Sequence, residues 1–467
     1  MLQFKLIILI DAIDSNEKKM FLQWLNSDFS ASYKEIISLT SYLLKYLDKK
    51  EKYFTKEKVF TQLYGKETYN DTRLRKVFSD TYLQLRRFLA YQQYVVKQGI
   101  WEEYFFIETL KEKGLYSLAT QQLKHFKQKL DNYPYLDTLA LYQQFIYEQQ
   151  KQILLHYKQR DKESNIQAVA DAFDSYYIVE KLRILQNVRS HQNVYETTYT
   201  TYLEPEILHL ASIPPFAATP LVQLYQLGYV CILHFNLEDY EAFKPLFYQH
   251  IHQFNAHQLR DFYMMMINFC IKKINEGQKH YYEEGLNWYI QAFDSKAILE
   301  YGFLSRFTYR NVIAICLALA KYAQAKQIIE NWKNYLEPEY QESLYTFNLC
   351  KYHYQLKDYK KAIKILLTND YDDKLLNLSA KVLLLKIYYE AKDFRSLDTT
   401  IESCKVYLKR QKVVGYHRKN YTNFLDILKK LATNMSKKEG QEILKPIVEN
   451  TNPLTEKQWL LQQIAAL

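Results

Sequence analysis

The stretch Ser343–Leu367, SLYTFNLCKYHYQLKDYKKAIKILL, and its successor Asn377–Leu408, NLSAKVLLLKIYYEAKDFRSLDTTIESCKVYL, decide the fold. Each reads as an apolar helix, a short charged corner and a second, amphipathic helix. The corners are Lys357-Asp358-Tyr359 and Lys392-Asp393-Phe394, and their aromatics stand 35 residues apart. Two such units in tandem imply a stacked-helix repeat, in which each pair buries its apolar side on the next.

Working outward, the corner aromatics Tyr240, Tyr281, Tyr322, Tyr359 and Phe394 follow one another at 41, 41, 37 and 35 residues. Helical pairs at such a period mark a solenoid. Gly and Pro number 9 each, about 2% apiece against roughly 5–7% in ordinary domains, so a turn-rich sheet protein is excluded. An earlier corner is Gly114-Leu115-Tyr116, with Ala119 placed for a close helix crossing. Beyond Pro134 the periodicity predicts helices over 136–157, 165–188 and 206–212, with Ile178, Val179, Leu182 and Leu185 as the buried stripe of the second. Pro214, Pro215 and Pro220 then make the strongest break, read as the main internal boundary. The expected organisation is an N-terminal helical unit over 1–97, irregular helical pairs over 98–213, regular repeats over 214–436 and capping helices over 437–467. A helix over 437–448 and a capping box, Thr455-Glu456-Lys457-Gln458, belong to the last segment, where Trp459, Leu460 and Ile464 would cover the final apolar face.

Residues 220–410 resemble tetratricopeptide repeats. That family pairs a small residue in the first helix with an Asp-Tyr-type corner and an Ala in the second. Here Cys350 lies nine residues before Tyr359 and Ala362 three after it. Cys231 stands likewise before Tyr240, and Ala325 three after Tyr322. Leu397 and Phe243 occupy the Ala place in two other pairs, and the early spacings exceed the family's 34. The whole chain also looks like a group of bacterial proteins with an N-terminal helical unit ahead of degenerate repeats, a resemblance that carries no activity. The resemblance implies an all-α, right-handed α-solenoid of helix–turn–helix repeats with an N-terminal helical bundle.

In the N-terminal unit, Ser15, Thr55 and either Asn70 or Asp71 are placed to cap helices, and Gly65 to end one. The order FTKEKVFTQLYG then YNDTRLRKVFSDTYLQLRRFL resembles the three-helix core of response-regulator winged helices. No hairpin signal follows; the helix runs on through Tyr94. Arg73, Arg75, Lys76 and Arg87 are the candidate nucleic-acid contacts, through phosphate binding. The alternative is a solvated helix face on a capping bundle.

Net charge is +10, spread along the chain, which allows an acidic partner without demanding one. The 44 tyrosines could stack on bases, but their places on apolar faces suit helix packing better. Cys231, Cys270, Cys316, Cys350 and Cys404 form no CxxC and read as small core residues in a reducing compartment, hence cytoplasmic. The apolar run 4–10 meets Asp11 and Asp14 and reads as neither signal peptide nor membrane span. Phosphate-loop, dinucleotide, zinc-protease and serine-hydrolase motifs are absent from the sequence, so no enzyme and no cofactor is expected. His250, His252 and His257 lack the carboxylate or Cys of a four-ligand metal set. Arg410 and His417 match the spacing of a helical ribonuclease family, but Val413, Val414 and Gly415 between them suit a surface corner.

The expected function is a non-catalytic protein-interaction scaffold. With the corner aromatics as register, Arg310, Lys351 and Lys386 are placed at equivalent positions of three successive first helices, with Tyr354 and Tyr389 one turn on. A column of cations beside a column of rings suits a protein segment or acidic peptide. A DNA-binding regulator using residues 33–97, with the repeats as sensor, is the second reading. No membrane partner is expected, and the oligomeric state is left open.

Overall fold

The computed structural model describes residues 5–28, 30, 32–46, 55–97, 99–158, 164–195, 197–369, 371, 373–410, 415–433 and 439–467. The protein is all-α. The helices are α1 Lys5–Ala12, α2 Ser15–Leu25, α3 Lys34–Tyr46, α4 Lys56–Tyr64, α5 Asp71–Lys97, α6 Gly99–Glu112 and α7 Tyr116–Asp131. They continue as α8 Thr138–Lys158, α9 Ile166–Tyr195, α10 Glu204–Ala211, α11 Pro220–His234, α12 Leu237–His250, α13 Ala256–Asn275 and α14 Tyr281–Asp294. Next come α15 Arg306–Ala318, α16 Tyr322–Trp332, α17 Pro338–Gln355, α18 Tyr359–Thr368, α19 Lys374–Glu390 and α20 Phe394–Arg410. The chain closes with α21 Gly415–Leu431, α22 Lys445–Asn450 and α23 Lys457–Ala466. One minimal hairpin, β1 Leu299–Glu300 and β2 Phe303–Leu304, departs from the all-helical expectation. Its two-residue turn, Tyr301-Gly302, has positive φ at both positions, the twist a tight hairpin needs. No described helix is long and apolar enough to cross a membrane.

Two compact units exist, residues 1–133 with 146–169 and residues 134–145 with 170–467. The Pro214-Pro215 break lies inside the second. In the first, Leu74, Val77, Phe78, Leu85 and Phe88 of α5 are buried on Leu6, Ile10, Phe21, Leu39 and Phe60. Thr55 caps α4 through its side chain, Gly65 ends it at φ 67°, and Asn70 accepts the Arg73 amide at 3.0 Å to cap α5. Helix α2 differs from expectation. Asp14, not Ser15, is its cap, because Asp14 and Glu17 form a reciprocal capping box that the longer carboxylates can close.

In both units the helix pairs turn by one device. Gly114, Ala320, Lys357 and Lys392 take left-handed φ of 73°, 55°, 58° and 59°, each two residues before the aromatic that opens the second helix. At each corner the next amide bonds back five residues: Leu115 to Leu110, Lys321 to Cys316, Asp358 to His353 and Asp393 to Tyr388, at 2.8–2.9 Å. The left-handed residue's own amide reaches back three. This Schellman closure satisfies carbonyls that a helix end would otherwise leave open. The corner Asp then caps the next helix, Asp358 on the Lys361 amide and Asp393 on the Ser396 amide. Gly277 closes α13 the same way, with two more residues before Tyr281. Ala325 and Ala362 are fully buried one turn into their helices, where a side chain larger than methyl would push the pair apart. All five cysteines are free and buried.

The C-terminus corrects a second cap. Helix α23 starts at Lys457, not after Thr455, and Glu456 precedes it at φ 55° with no side-chain cap bond. Trp459, Leu460 and Ile464 are buried with Val382, Leu385, Leu397 and Phe424. Of the expected features, residues 437 and 438 of the C-terminal helix and Val413 and Val414 of the Arg410–His417 corner lie outside the described residues.

The three non-glycine corners carry left-handed strain of about 1–2 kcal/mol each. Lys392 is exposed and its side chain has no partner among the described residues, so Lys392→Gly should raise stability in urea by up to about 1 kcal/mol. Gly114→Ala should lower it by about 1 kcal/mol. A loss of stability in Lys392→Gly, a gain in Gly114→Ala, or no shift in either would show that the corner backbone is not strained as described.

Candidate functional site

Helices α15, α17 and α19 are the first members of three successive pairs, and one cavity of about 260 Å³ opens among them. Arg310, Lys351 and Lys386 all line it, with Phe347, Tyr354 and Leu317 as apolar wall. The register expectation needs one correction. Lys351 and Lys386 stand eight residues before their corner aromatics, whereas Arg310 stands twelve before Tyr322. One helical turn separates these offsets, and a side chain one turn away stays on the same face. Arg310 therefore still reaches the cavity.

Tyr389 does not line it. Its ring packs edge-on against Trp459 at 5.6 Å and against Phe394 at 6.3 Å. Tyr421 and Ser379, which sequence reasoning missed, do line it, as do Thr455 and Glu456. No pattern in the sequence pointed to Tyr421, because its helix follows Phe394, the last corner aromatic that set the register. Thr455 and Glu456 were read as a capping box, and the late start of α23 frees them to turn inward.

The charges do not balance. Lys386 pairs with Glu456 at 2.7 Å and lies over the rings of Tyr354 at 5.2 Å and Trp459 at 5.5 Å. Among the described residues, Arg310 and Lys351 have no ion pair. Lys351 has only the Phe347 ring, 5.3 Å away. The nearest carboxylate acting on Arg310, Asp373, is committed to Arg306 at 3.9 Å and to the Leu376 amide at 2.7 Å. Desolvation, reinforced by Arg310 and Lys386 and opposed by Glu456, pulls the Lys351 ammonium down to about 8. Desolvation lowers Arg310 as well. Two half-buried cations without an ion pair of their own are costly, so a site built this way favours an anion.

A carboxylate hub holds one wall of the site. Glu390, the last residue of α19, accepts hydrogen bonds from the hydroxyls of Tyr354 and Tyr359. It also accepts from Lys357 Nζ and Trp459 Nε1, both at 2.8 Å. Burial alone would raise its pKa, but these donors outweigh burial and hold it at about 2. Tyr354 is thereby fixed with its ring toward Lys386, and α23 is tied to the repeat corner.

The N-terminal candidates are arranged differently. Arg73 pairs with Glu67 at 2.6 Å and lies over Tyr64 at 3.7 Å, and Arg75 pairs with Asp71 at 2.6 Å. Lys76 and Arg87 are exposed on α5. A cavity of about 700 Å³ in the same unit is lined by Trp24, Phe88, Tyr91 and Val95 without a charged side chain. Among the described residues no group of three metal-ligating side chains comes together.

Two titrations follow. Lys351 binds its proton less tightly folded than unfolded, so its cost is full below about pH 8 and disappears toward the ordinary lysine value. Lys351→Met should therefore be more stable than wild type at pH 7, with the difference shrinking as the pH rises above 8 in urea titrations. Glu390 is the reverse case. Its stabilisation is full above the ordinary glutamate range and is lost as pH falls toward 2. Glu390→Gln should cost about 2 kcal/mol at pH 7, and the gap from wild type should close on acidification. A gap independent of pH would mean the carboxylate charge is not what the four donors hold.

No family model, no curated protein and no solved structure matches the chain.

Proposed function

We propose that the protein is a non-catalytic interaction scaffold that holds an acidic peptide segment of a partner protein on the first-helix side of its repeats. The observation that carries this reading is the pair of cations, Arg310 and Lys351, that line a cavity with an apolar wall and have no ion pair among the described residues. A peptide supplies what such a site lacks: carboxylates for the cations, and apolar groups for the Phe347 and Tyr354 rings. At about 260 Å³ the cavity is smaller than the ~300–1,000 Å³ that encloses a whole drug-sized ligand. It suits one anchoring side chain of a longer segment. Buried free thiols fit a reducing compartment such as the cytoplasm.

The second reading, duplex DNA on α5, draws less support. Arg73 and Arg75 already hold carboxylates, so phosphate contact would have to break those pairs.

Fluorescence anisotropy against a panel of labelled acidic peptides tests the scaffold reading. Wild-type protein should bind a subset with affinity that falls as salt rises. Lys351→Glu combined with Lys386→Glu should weaken that binding at least about tenfold, the effect of losing one charge-assisted bond. Unchanged binding in the double variant would place the partner elsewhere.

A further inference from the structure

The cavity's charge balance specifies more than acidity. Lys386 is matched by Glu456, so the protein's own carboxylate already shows what a monoanion achieves there: it satisfies one cation. Arg310 and Lys351 then remain, two positive charges with no ion pair among the described residues, in a cavity of about 260 Å³. A single carboxylate entering that space would leave one of them unmatched in a poorly solvated setting. A phosphoryl group carries about −1.5 to −2 at neutral pH and three acceptor oxygens, enough for a guanidinium and an ammonium together. Arg310 offers the planar fork that pairs with two phosphate oxygens, and Lys351 a point charge beside it.

We infer that the cavity bounded by Arg310, Lys351 and the Lys386–Glu456 pair is a binding site for a phosphate monoester dianion. This rests on the scaffold reading only in placing the phosphoryl group on a peptide side chain. Glu456 acts as the internal competitor: its carboxylate holds Lys386 and repels an incoming anion. Its side chain makes no cap bond to α23, so its described link is the ion pair with Lys386.

Isothermal titration of the full-length protein at constant ionic strength provides the test, using inorganic phosphate, acetate, a short phosphoserine peptide and its glutamate counterpart. Phosphate should bind saturably and at least about tenfold more tightly than acetate. Lys351→Met, which removes an uncompensated cation and so keeps the fold, should weaken phosphate at least about tenfold. Glu456→Gln should tighten it. A phosphoserine peptide that outbinds inorganic phosphate identifies a phosphorylated partner segment, and equal affinities identify a small phosphorylated ligand; both carry the dianion. Absence of saturable phosphate binding, no preference over acetate, or indifference to Lys351→Met would overturn the inference. If the glutamate peptide nevertheless binds and loses affinity in Lys351→Met, the scaffold reading stands while the dianion site falls.

Discussion

The carboxylate of Glu390 is the constraint on which the packing around the α15–α17–α19 cavity depends. Four donors from α17, the following corner, α18 and α23 converge on it. A carboxylate so surrounded gains more from hydrogen bonds than it loses by leaving water, which is why its proton affinity falls despite burial. Through Trp459 the hub anchors the start of α23, and through Tyr354 it orients one wall of the cavity. The position of Glu456 opposite Lys386 follows from that anchoring. The site's imbalance of charge is then a consequence of how the C-terminus docks.

Upstream of that hub, regularity comes from the corners. A left-handed residue and a pair of backward amide bonds recur at these corners, with a capping Asp at two of them, because each helix end has the same open carbonyls to satisfy. Side chains at fixed offsets from the corner therefore meet across successive pairs. The same logic appears elsewhere in the second unit. Tyr240 donates to Glu284 at 2.8 Å and accepts from Trp288, repeating the Tyr-to-Glu link between neighbouring pairs. Tyr240, Tyr354 and Tyr359 are used in this way, with rings packed between helices and hydroxyls given to acids.

Most of the helical framework was legible in the chain. The corner aromatics from Tyr281 onward are the first residues of their helices, and Thr55, Asn70 and Gly65 act where local rules put them. These features depend on residues within five positions of one another, so periodicity and capping chemistry suffice. The misreadings are local competitions. Asp14 outdid Ser15 as a cap, and the capping box proposed at Thr455 was set aside because Glu456 found a cation seventy residues away in the chain. The hairpin at 299–304 had only its Tyr-Gly turn as a signal.

The amino-acid sequence by itself determined that this is an all-α chain of paired helices, and that Arg310, Lys351 and Lys386 share the first-helix side. Helical period and corner register are properties of neighbouring residues, and they survive without knowledge of the rest. Only the tertiary structure decided that these cations enclose one cavity with Tyr421, that Tyr389 turns away from it, and that Glu456 neutralises Lys386 alone. Those outcomes depend on contacts between residues far apart in sequence, where desolvation and charge pairing, not period, choose the partner.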